Sequence, residues 1–546
     1  MTARRKFWGW GNEDQVVSDE EAVFLARLFA QKFGATLKPP QPAPKVSDFN
    51  LRASRLTPPA SIVHLCSIDP HERLVHAYGK SFPDYVRMFQ RNVPHPPDVV
   101  AFPENENDVT AVLDWAARKK AAVVPFGGGS SVCGGVECDV GDAYGGVVSL
   151  DMGRMGKVVE IDRTSRAARI QAGAFGPALE AQLKPHGLTL RHFPQSFEFS
   201  TVGGWIATRS GGHYATLYTH IDDFVEAMRV VTPKGLMETR RLPGSGAGPQ
   251  PERMFIGSEG ILGVITEAWV RLQDAPKFRA SASVKFADFL KGAEAVRALA
   301  QSGLNPSNCR LIDAQEALGT GAGDGSASLL VLAFESADHP QDSKLARGIE
   351  IVRDHGGIVD EPKAASEGQH REGAAGAWRN AFLRAPFYRE VLTPMGVIVD
   401  TFETAVTWDR FPAFHEEVTR RITDILKRVT GKPGSVTCRF THAYPDGPAP
   451  YFTFQGLGRM NVLLEQWQEI KAEANDVVIS AGGTSTHHHA VGRDHRPGYT
   501  RECPPLFADA LRAVKQTVDP EGIMNPGVLI DPAGRKVGVR GAMAGT

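Results

Sequence analysis

Long apolar runs are missing from this chain. The densest, Ser328-Leu-Leu-Val-Leu-Ala-Phe334, has the length of a core strand and falls far short of the roughly 18 residues of a membrane-spanning helix. A charge excess is missing too. Sixty-one Lys and Arg stand against 62 Asp and Glu, a formal net charge of −1, so there is none of the basic field on which non-specific nucleic-acid binding depends. Cysteine is scarce: Cys66, Cys133, Cys138, Cys309, Cys438 and Cys503 form no C-x-x-C pair and no dense framework. A chain of 546 residues needs no disulfide staples, which points to reduced thiols in a cytosolic compartment. The N-terminal Met1-Thr-Ala-Arg-Arg-Lys-Phe-Trp8 has basic residues with no apolar stretch behind them, unlike a secretory signal. What remains is ordinary globular composition, 42% hydrophobic and 23% charged, enough for a full core. The expectation is a cytoplasmic enzyme.

The chain divides by texture. Residues 1–90 read as an N-terminal helical extension, opened by a capping box at Ser18-Asp-Glu-Glu21 with Phe24, Leu25, Leu28 and Phe29 on one helical face. The helix stops near Gly34, before the stiff connector Lys38-Pro-Pro-Gln-Pro-Ala-Pro44. From about 95 the pattern is α/β. Asn107 is placed to cap a helix striped by Val109, Val112, Leu113, Ala116 and Ala117. Short strands follow at 121–126, 146–150, 168–172, 225–232 and 262–265. After Pro276, strands mix with amphipathic helices at 289–299 and 414–429, and Ser435 to Phe454 reads as a hairpin turning at Pro445-Asp-Gly-Pro448. The predicted divisions are 1–90, 91–275, 276–500 and a C-terminal segment, 501–546, that returns to the second.

Three glycine-rich segments carry chemistry. Pro125-Phe-Gly-Gly-Gly-Ser-Ser-Val132 ends a strand with contiguous glycines, whose backbone can approach an anion closely while successive N–H groups cradle phosphate oxygens. It is neither a P-loop nor the G-x-G-x-x-G turn. Ser196-Phe-Glu-Phe-Ser-Thr-Val-Gly-Gly-Trp-Ile-Ala-Thr208 offers hydroxyls for the polar edge of a large flat ligand. Gly257-Ser-Glu-Gly-Ile-Leu-Gly-Val-Ile-Thr266 is the third.

With Asp519-Pro-Glu-Gly-Ile-Met-Asn-Pro-Gly527, these segments resemble the p-cresol methylhydroxylase / vanillyl alcohol oxidase family of flavoproteins over about residues 95–530. The resemblance implies an α+β fold: a two-part FAD-binding domain of the p-cresol methylhydroxylase type under a mixed α/β cap, or substrate, domain. It implies FAD held by Pro125, Phe126, Gly127, Gly128, Gly129, Ser130, Ser131, Val132, Pro194, Ser196, Ser200, Thr201, Gly203, Gly204, Thr208, Ser210, Glu259, Gly260, Gly263, Val264, Ile265 and Arg310. His192, His213 and Cys133 are available for covalent attachment, but ordinary roles for those residue types are commoner, so noncovalent FAD is expected.

The last constellation is Thr486-His-His-His489, together with Arg439, His442 and Tyr451 on the hairpin. Adjacent histidines of an extended segment point to alternate faces, and no acidic ligand stands nearby in sequence, so no metal is expected. Here the closer resemblance is to the alkyldihydroxyacetonephosphate synthase branch, carried by Phe7-Trp-Gly-Trp-Gly11, Asn308-Cys-Arg-Leu-Ile-Asp313, Thr401-Phe-Glu-Thr404, Trp408-Asp-Arg410, Thr437-Cys-Arg439, Tyr451-Phe452 and His487-His-His-Ala-Val-Gly492. In that branch nitrogen 5 of the flavin attacks carbon 1 of acyl-dihydroxyacetone phosphate, a fatty acid leaves, and a fatty alcohol displaces the flavin. The resemblance implies catalytic roles for Tyr451, His488, His489 and Arg389, and substrate contacts for Arg439 and His487. It also implies a lipid or small-molecule substrate, a homodimer, and a cytoplasmic enzyme compatible with peripheral membrane contact. Ala490 stands where the branch has Gly, and Arg493 where it has Lys. The alternative is an FAD-dependent 2-hydroxy-acid dehydrogenase of the D-lactate type. Its H-x-G-D-G-N-x-H signature is replaced here by His442-Ala-Tyr-Pro-Asp-Gly447 with Tyr451 at the second His.

Overall fold

A computed structural model describes residues 4–39, 41–218, 220–359, 373–535 and 537. The first sheet holds β1 (Cys66–Ser67), β2 (Val99–Ala101), β3 (Ala122–Phe126) and β4 (Val147–Asp151) in the order β1-β2-β4-β3. Strands β2, β4 and β3 run parallel and are almost wholly buried, as their unbroken apolar sequences require. The helix Glu106–Arg118 crosses from β2 to β3 and buries Val109, Val112, Leu113, Trp115 and Ala116. Its cap is Asn105, not Asn107. Asn105 is extended, and its side chain accepts the Asp108 N–H, whereas Asn107 already lies in the first turn, where no side chain can cap the helix from outside.

The second sheet comprises β5 (Val158–Asp162), β6 (Ala167–Gln171), β8 (Val225–Thr232), β9 (Gly235–Glu238) and β10 (Val264–Arg271), in the order β5-β6-β10-β8-β9 and antiparallel throughout. A two-stranded ladder joins β7 (Leu188–Thr189) to β11 (Gln273–Asp274). The strand expected from 262 starts two residues later. Gly263 has φ +154, and a Cβ there would meet the Val231 carbonyl at 2.9 Å. The C-terminal motif returns to the first sheet: Val123 and Met524 form a parallel bridge, and Ile523 and Met524 are fully buried.

The third sheet has seven strands: β12 (Phe278–Phe286), β13 (Asn308–Ile312), β14 (Ser328–Ser336), β15 (Ile358–Val359), β16 (Val397–Glu403), β17 (Ser435–Ala443) and β18 (Pro448–Leu457). Their order is β15-β12-β14-β13-β17-β18-β16. The helices Phe289–Gln301, Asp342–Asp354, Phe411–Thr430 and Leu463–Ser480 share its largest apolar cluster. The expected hairpin is β17–β18. Phe452 and Phe454 are fully buried in that cluster, which leaves Tyr451 on the opposite face of the strand.

The described residues up to 90 are woven into the body rather than appended to it. Cys66–Ser67 is a strand of the first sheet, and the buried Lys6 ammonium lies 2.9 Å from Glu390. The helix Asp19–Phe33 carries the expected capping box and ends at left-handed Gly34. Its inward stripe is Ala22, Leu25 and Phe29, while Phe24 and Leu28 are 64% and 41% exposed. Neighbouring helical positions are about 100° apart, and only the narrower stripe meets Leu392, Met395 and Val397. Within the Pro-rich connector, Pro40 lies outside the described residues. No described helix is long and apolar enough to cross a membrane, and all six cysteines are free.

Candidate active site

The glycine loop follows β3 directly. Among the described residues, the backbone N–H groups of Gly128, Gly129, Ser130, Ser131 and Val132 donate to no other group. Such a run of consecutive free donors suits the oxygens of a pyrophosphate, and FAD fits it. The glycines also serve a packing purpose within the protein itself. A Cβ on Gly128 would fall 1.7 Å from the Phe199 carbonyl oxygen, one on Gly127 2.3 Å from Thr201 Oγ1, and one on Gly203 2.7 Å from Ala172 Cβ. The glycines let two loops of the protein close on each other. Gly204 is looser, with Thr201 Oγ1 at 3.4 Å.

The hydroxyls of the second motif are engaged internally. Ser200 Oγ accepts from Trp205 Nε1 and Ser196 Oγ, Thr208 donates to Gly204 O, and Ser210 bonds His192. Thr201 caps the helix Val202–Thr208, and Pro194 O accepts the Phe197 N–H. In the third motif Gly260 packs on Pro125. Val264 and Ile265 have their backbones paired with Val231 and Val230 and their side chains in the core. Glu259 clamps the triple-histidine segment to this half, its carboxylate accepting the N–H groups of Val491 and Gly492 at 2.9 and 2.8 Å. Burial outweighs those two bonds and pushes its carboxyl up to about 7. Burial also raises the Cys133 thiol well above its ordinary range, and Cys133 donates to His489 O. It is held as a neutral thiol.

The triple histidine is not extended. It forms a turn around Glu403, at the end of β16. The Glu403 carboxylate accepts the backbone N–H groups of His487, His488 and His489 at 2.5, 3.1 and 2.8 Å, and the Thr486 hydroxyl at 2.6 Å. Burial alone would raise this carboxyl, but the surrounding imidazoles and the Thr486 hydroxyl hold it well below its ordinary range. Sequence proximity gave no hint of this acid, since it comes from 84 residues upstream of His487.

Burial disfavours charge on the imidazoles gathered above it. Burial pushes His488 down to about 3 and His489 to about 4, and holds His442 and His487 well below 6.5. Nitrogen atoms of His442, His487 and His488 lie within 4.8 Å of one another, so these three could hold a metal. Tyr451 faces His488 and His489, with ring centroids at 6.0 and 5.4 Å, and its hydroxyl donates to Thr401 Oγ1 at 3.1 Å.

Two guanidinium groups complete the wall. Arg439 stacks 3.8 Å from the Tyr451 ring centroid and pairs with Glu316 at 2.6 Å. Arg310, 4% exposed, donates to His213 Nδ1 at 2.9 Å. Burial and the nearby Arg439 push Arg310 down to about 9. Both guanidinium groups lie 5.6 Å from the Phe382 ring centroid. Arg389 is 3.0 Å from Asp400. The structure thus brings Tyr451, His487, His488, His489, Arg439 and Arg310 together.

Comparison with known proteins fits this geometry. Residues 97–240 match the family described as FAD binding domain, and residues 275–529 the family described as FAD linked oxidases, C-terminal domain. An alkyldihydroxyacetonephosphate synthase of Dictyostelium discoideum is 31% identical over 478 residues, 85% of this chain and 78% of that protein. A solved alkyldihydroxyacetonephosphate synthase structure superposes with a TM-score of 0.78 at 25% identity, covering 96% of this chain and 98% of the other. Substrate-bound p-cresol methylhydroxylase, 15% identical over 87% of this chain and 95% of its own, shares the fold with a TM-score of 0.65. A free N–H cradle for FAD beside a buried His–Tyr–Arg wall, on this two-part architecture, places the chain in the alkyldihydroxyacetonephosphate synthase family of FAD-dependent enzymes.

Proposed function

We propose that this enzyme exchanges the acyl group of acyl-dihydroxyacetone phosphate for a fatty alcohol, the ether-forming step of lipid synthesis. One observation carries the reading: two buried guanidinium groups, Arg439 and Arg310, stand together beside the Phe382 ring, Arg439 being stacked on Tyr451. A pair of guanidinium groups matches the oxygens of a phosphate. Noncovalently bound FAD, held at the N–H cradle of residues 128–132, would supply a nucleophilic ring nitrogen to the reaction. Arg439 contacts the phosphate, whereas both ring nitrogens of His487 are already engaged, by Tyr444 and His488. Tyr451, His488 and His489 move protons at the reacting carbon and its leaving group, tasks suited to neutral imidazoles and a protonated phenol. Arg389, through Asp400, steadies the floor of the pocket.

The test is product analysis with FAD-loaded protein, labelled acyl-dihydroxyacetone phosphate and a fatty alcohol. Ether product without oxygen uptake supports the exchange. Flavin reduction by 2-hydroxy acids with no ether formed overturns it in favour of a dehydrogenase. The reading assigns no metal to His442, His487 and His488. Stoichiometric zinc, with activity lost to chelators and restored by zinc, would refute that assignment.

A further inference from the structure

Replacing an ester by an ether releases a proton at neutral pH, because the alcohol loses its O–H hydrogen and the fatty acid departs as its anion. That proton has to leave the reacting carbon if the enzyme is to turn over again. It must be passed on. Two residues to which no motif gives a role lie on a continuous hydrogen-bonded path away from the site. Tyr444, at the turn of the β17–β18 hairpin, has its hydroxyl 2.8 Å from His487 Nε2 and hydrogen-bonded on its other side to His220 Nε2. His487 Nδ1 lies 3.0 Å from His488 Nδ1. His220, from the FAD half of the molecule, is only partly buried.

We propose that Tyr444 and His220 are positioning residues that drain the reaction's proton from His488 through His487 to the surface by a concerted change of tautomers. The inference rests on the exchange reaction proposed above. The protons balance as follows. His488 takes the substrate proton at Nε2, and its Nδ1 proton passes to His487 Nδ1. The His487 Nε2 proton passes to the Tyr444 oxygen, whose own proton passes to His220 Nε2. The Nδ1 proton of His220 leaves to water. Each ring ends neutral, with no tyrosinate or imidazolium left in the chain. Glu403 Oε2, 3.4 Å from His488 Nδ1, offsets positive charge that develops on the first ring during the shift. At the far end, Asp222 and Asp223 favour arrival of positive charge at His220, while Arg209 opposes it.

Hydrogen bonds alone could merely fasten the cap to the FAD half, so the test must separate fastening from conduction. In the FAD-loaded enzyme, Tyr444→Phe and His220→Ala should keep flavin content and unfolding temperature. Both should lower kcat by roughly 10- to 100-fold with KM little changed, and enlarge the solvent deuterium isotope effect. Free imidazole should restore His220→Ala saturably, as only a lost proton carrier would allow. Normal kcat in Tyr444→Phe, or no rescue of His220→Ala, overturns the relay. A second readout needs no turnover. Nitrogen-15 spectra of histidine-labelled holoenzyme should show neutral rings at 220 and 487, both perturbed by Tyr444→Phe. If the unsubstituted enzyme forms no ether, the proposed reaction fails on its own, and an unmoved His220 resonance would still sink the path.

Discussion

The Arg439 guanidinium stacks on Tyr451, 3.8 Å from the ring centroid, while the phenol hydroxyl donates to Thr401 on the neighbouring strand. Burial pushes that hydroxyl's pKa up and the guanidinium pulls it back, the net effect being upward, so at neutral pH the phenol is a proton donor. Tyr451→Phe keeps the stacked ring and removes only the O–H, so stability should fall by only about 1 kcal/mol and flavin content should hold. Turnover should drop by roughly two to four orders of magnitude. Near-normal turnover would remove Tyr451 from the chemistry.

The close approach of Gly128 to Phe199 changes what a glycine substitution tests. Gly128→Ala drives a methyl into a backbone carbonyl, so the two loops must part. Both flavin content and thermal midpoint should fall. Gly204→Ala meets only Thr201 Oγ1 at 3.4 Å and should keep its flavin. The pair is read by absorbance of the purified proteins and by thermal unfolding. Equal flavin content in the two would contradict the packing role of the loop.

How much of this was legible beforehand varies by element, for physical reasons. Strand 225–232 and the hairpin expected over 435–454 carry local signals, apolar runs bounded by turn residues; the strand appears as read and the hairpin runs three residues further, to Leu457. The glycine loop was visible as a loop, but what its glycines pack against depends on Phe199 and Thr201, 71 and 74 positions further along the chain from Gly128 and Gly127. Helix 19–33 shows the limit of periodicity: four apolar residues suggested one face, and the partner surface took only Leu25 and Phe29. The triple histidine was visible but its conformation was not. An extended segment alternates its side chains, whereas a carboxylate from a distant strand bends this one into a turn. Tyr444 lies within the segment 442–447 but nothing there marks it, and His220 carries no sequence signal; both are ordinary residues until the two halves meet.

Glu403 should therefore be hard to replace. In Glu403→Gln the side-chain oxygen can still accept some of the N–H groups of residues 487–489, but the amide NH₂ then points at donors. Leaving buried donors unpaired costs about 1–3 kcal/mol. The variant should unfold at lower temperature and lose activity through a displaced His488, with flavin largely retained because the N–H cradle at 128–132 is untouched. A variant with parental stability and turnover would show that the turn is held by something else.

The last prediction concerns acid sensitivity. His415 packs against Phe289, Phe411 and Phe452, far from the triple histidine in sequence and in the apolar layer beneath the third sheet. Burial pushes it down to about 4, against about 6.5 for an unfolded histidine. The unfolded chain therefore binds the extra proton between those values. The stability tied to this ring is complete above pH 6.5 and is lost as pH falls toward 4, with a limiting slope of about 1.4 kcal/mol per pH unit. His192, near 3, and His495, near 4, act in the same direction. His415→Phe fits the same aromatic surroundings and cannot take up a proton. Its urea-unfolding free energy, followed from pH 7 to pH 4.5, should decline less steeply than the parent's by about that slope, with the two curves closest near neutrality. Parallel curves across the range would mean that His415 is already accessible to protons in the native state.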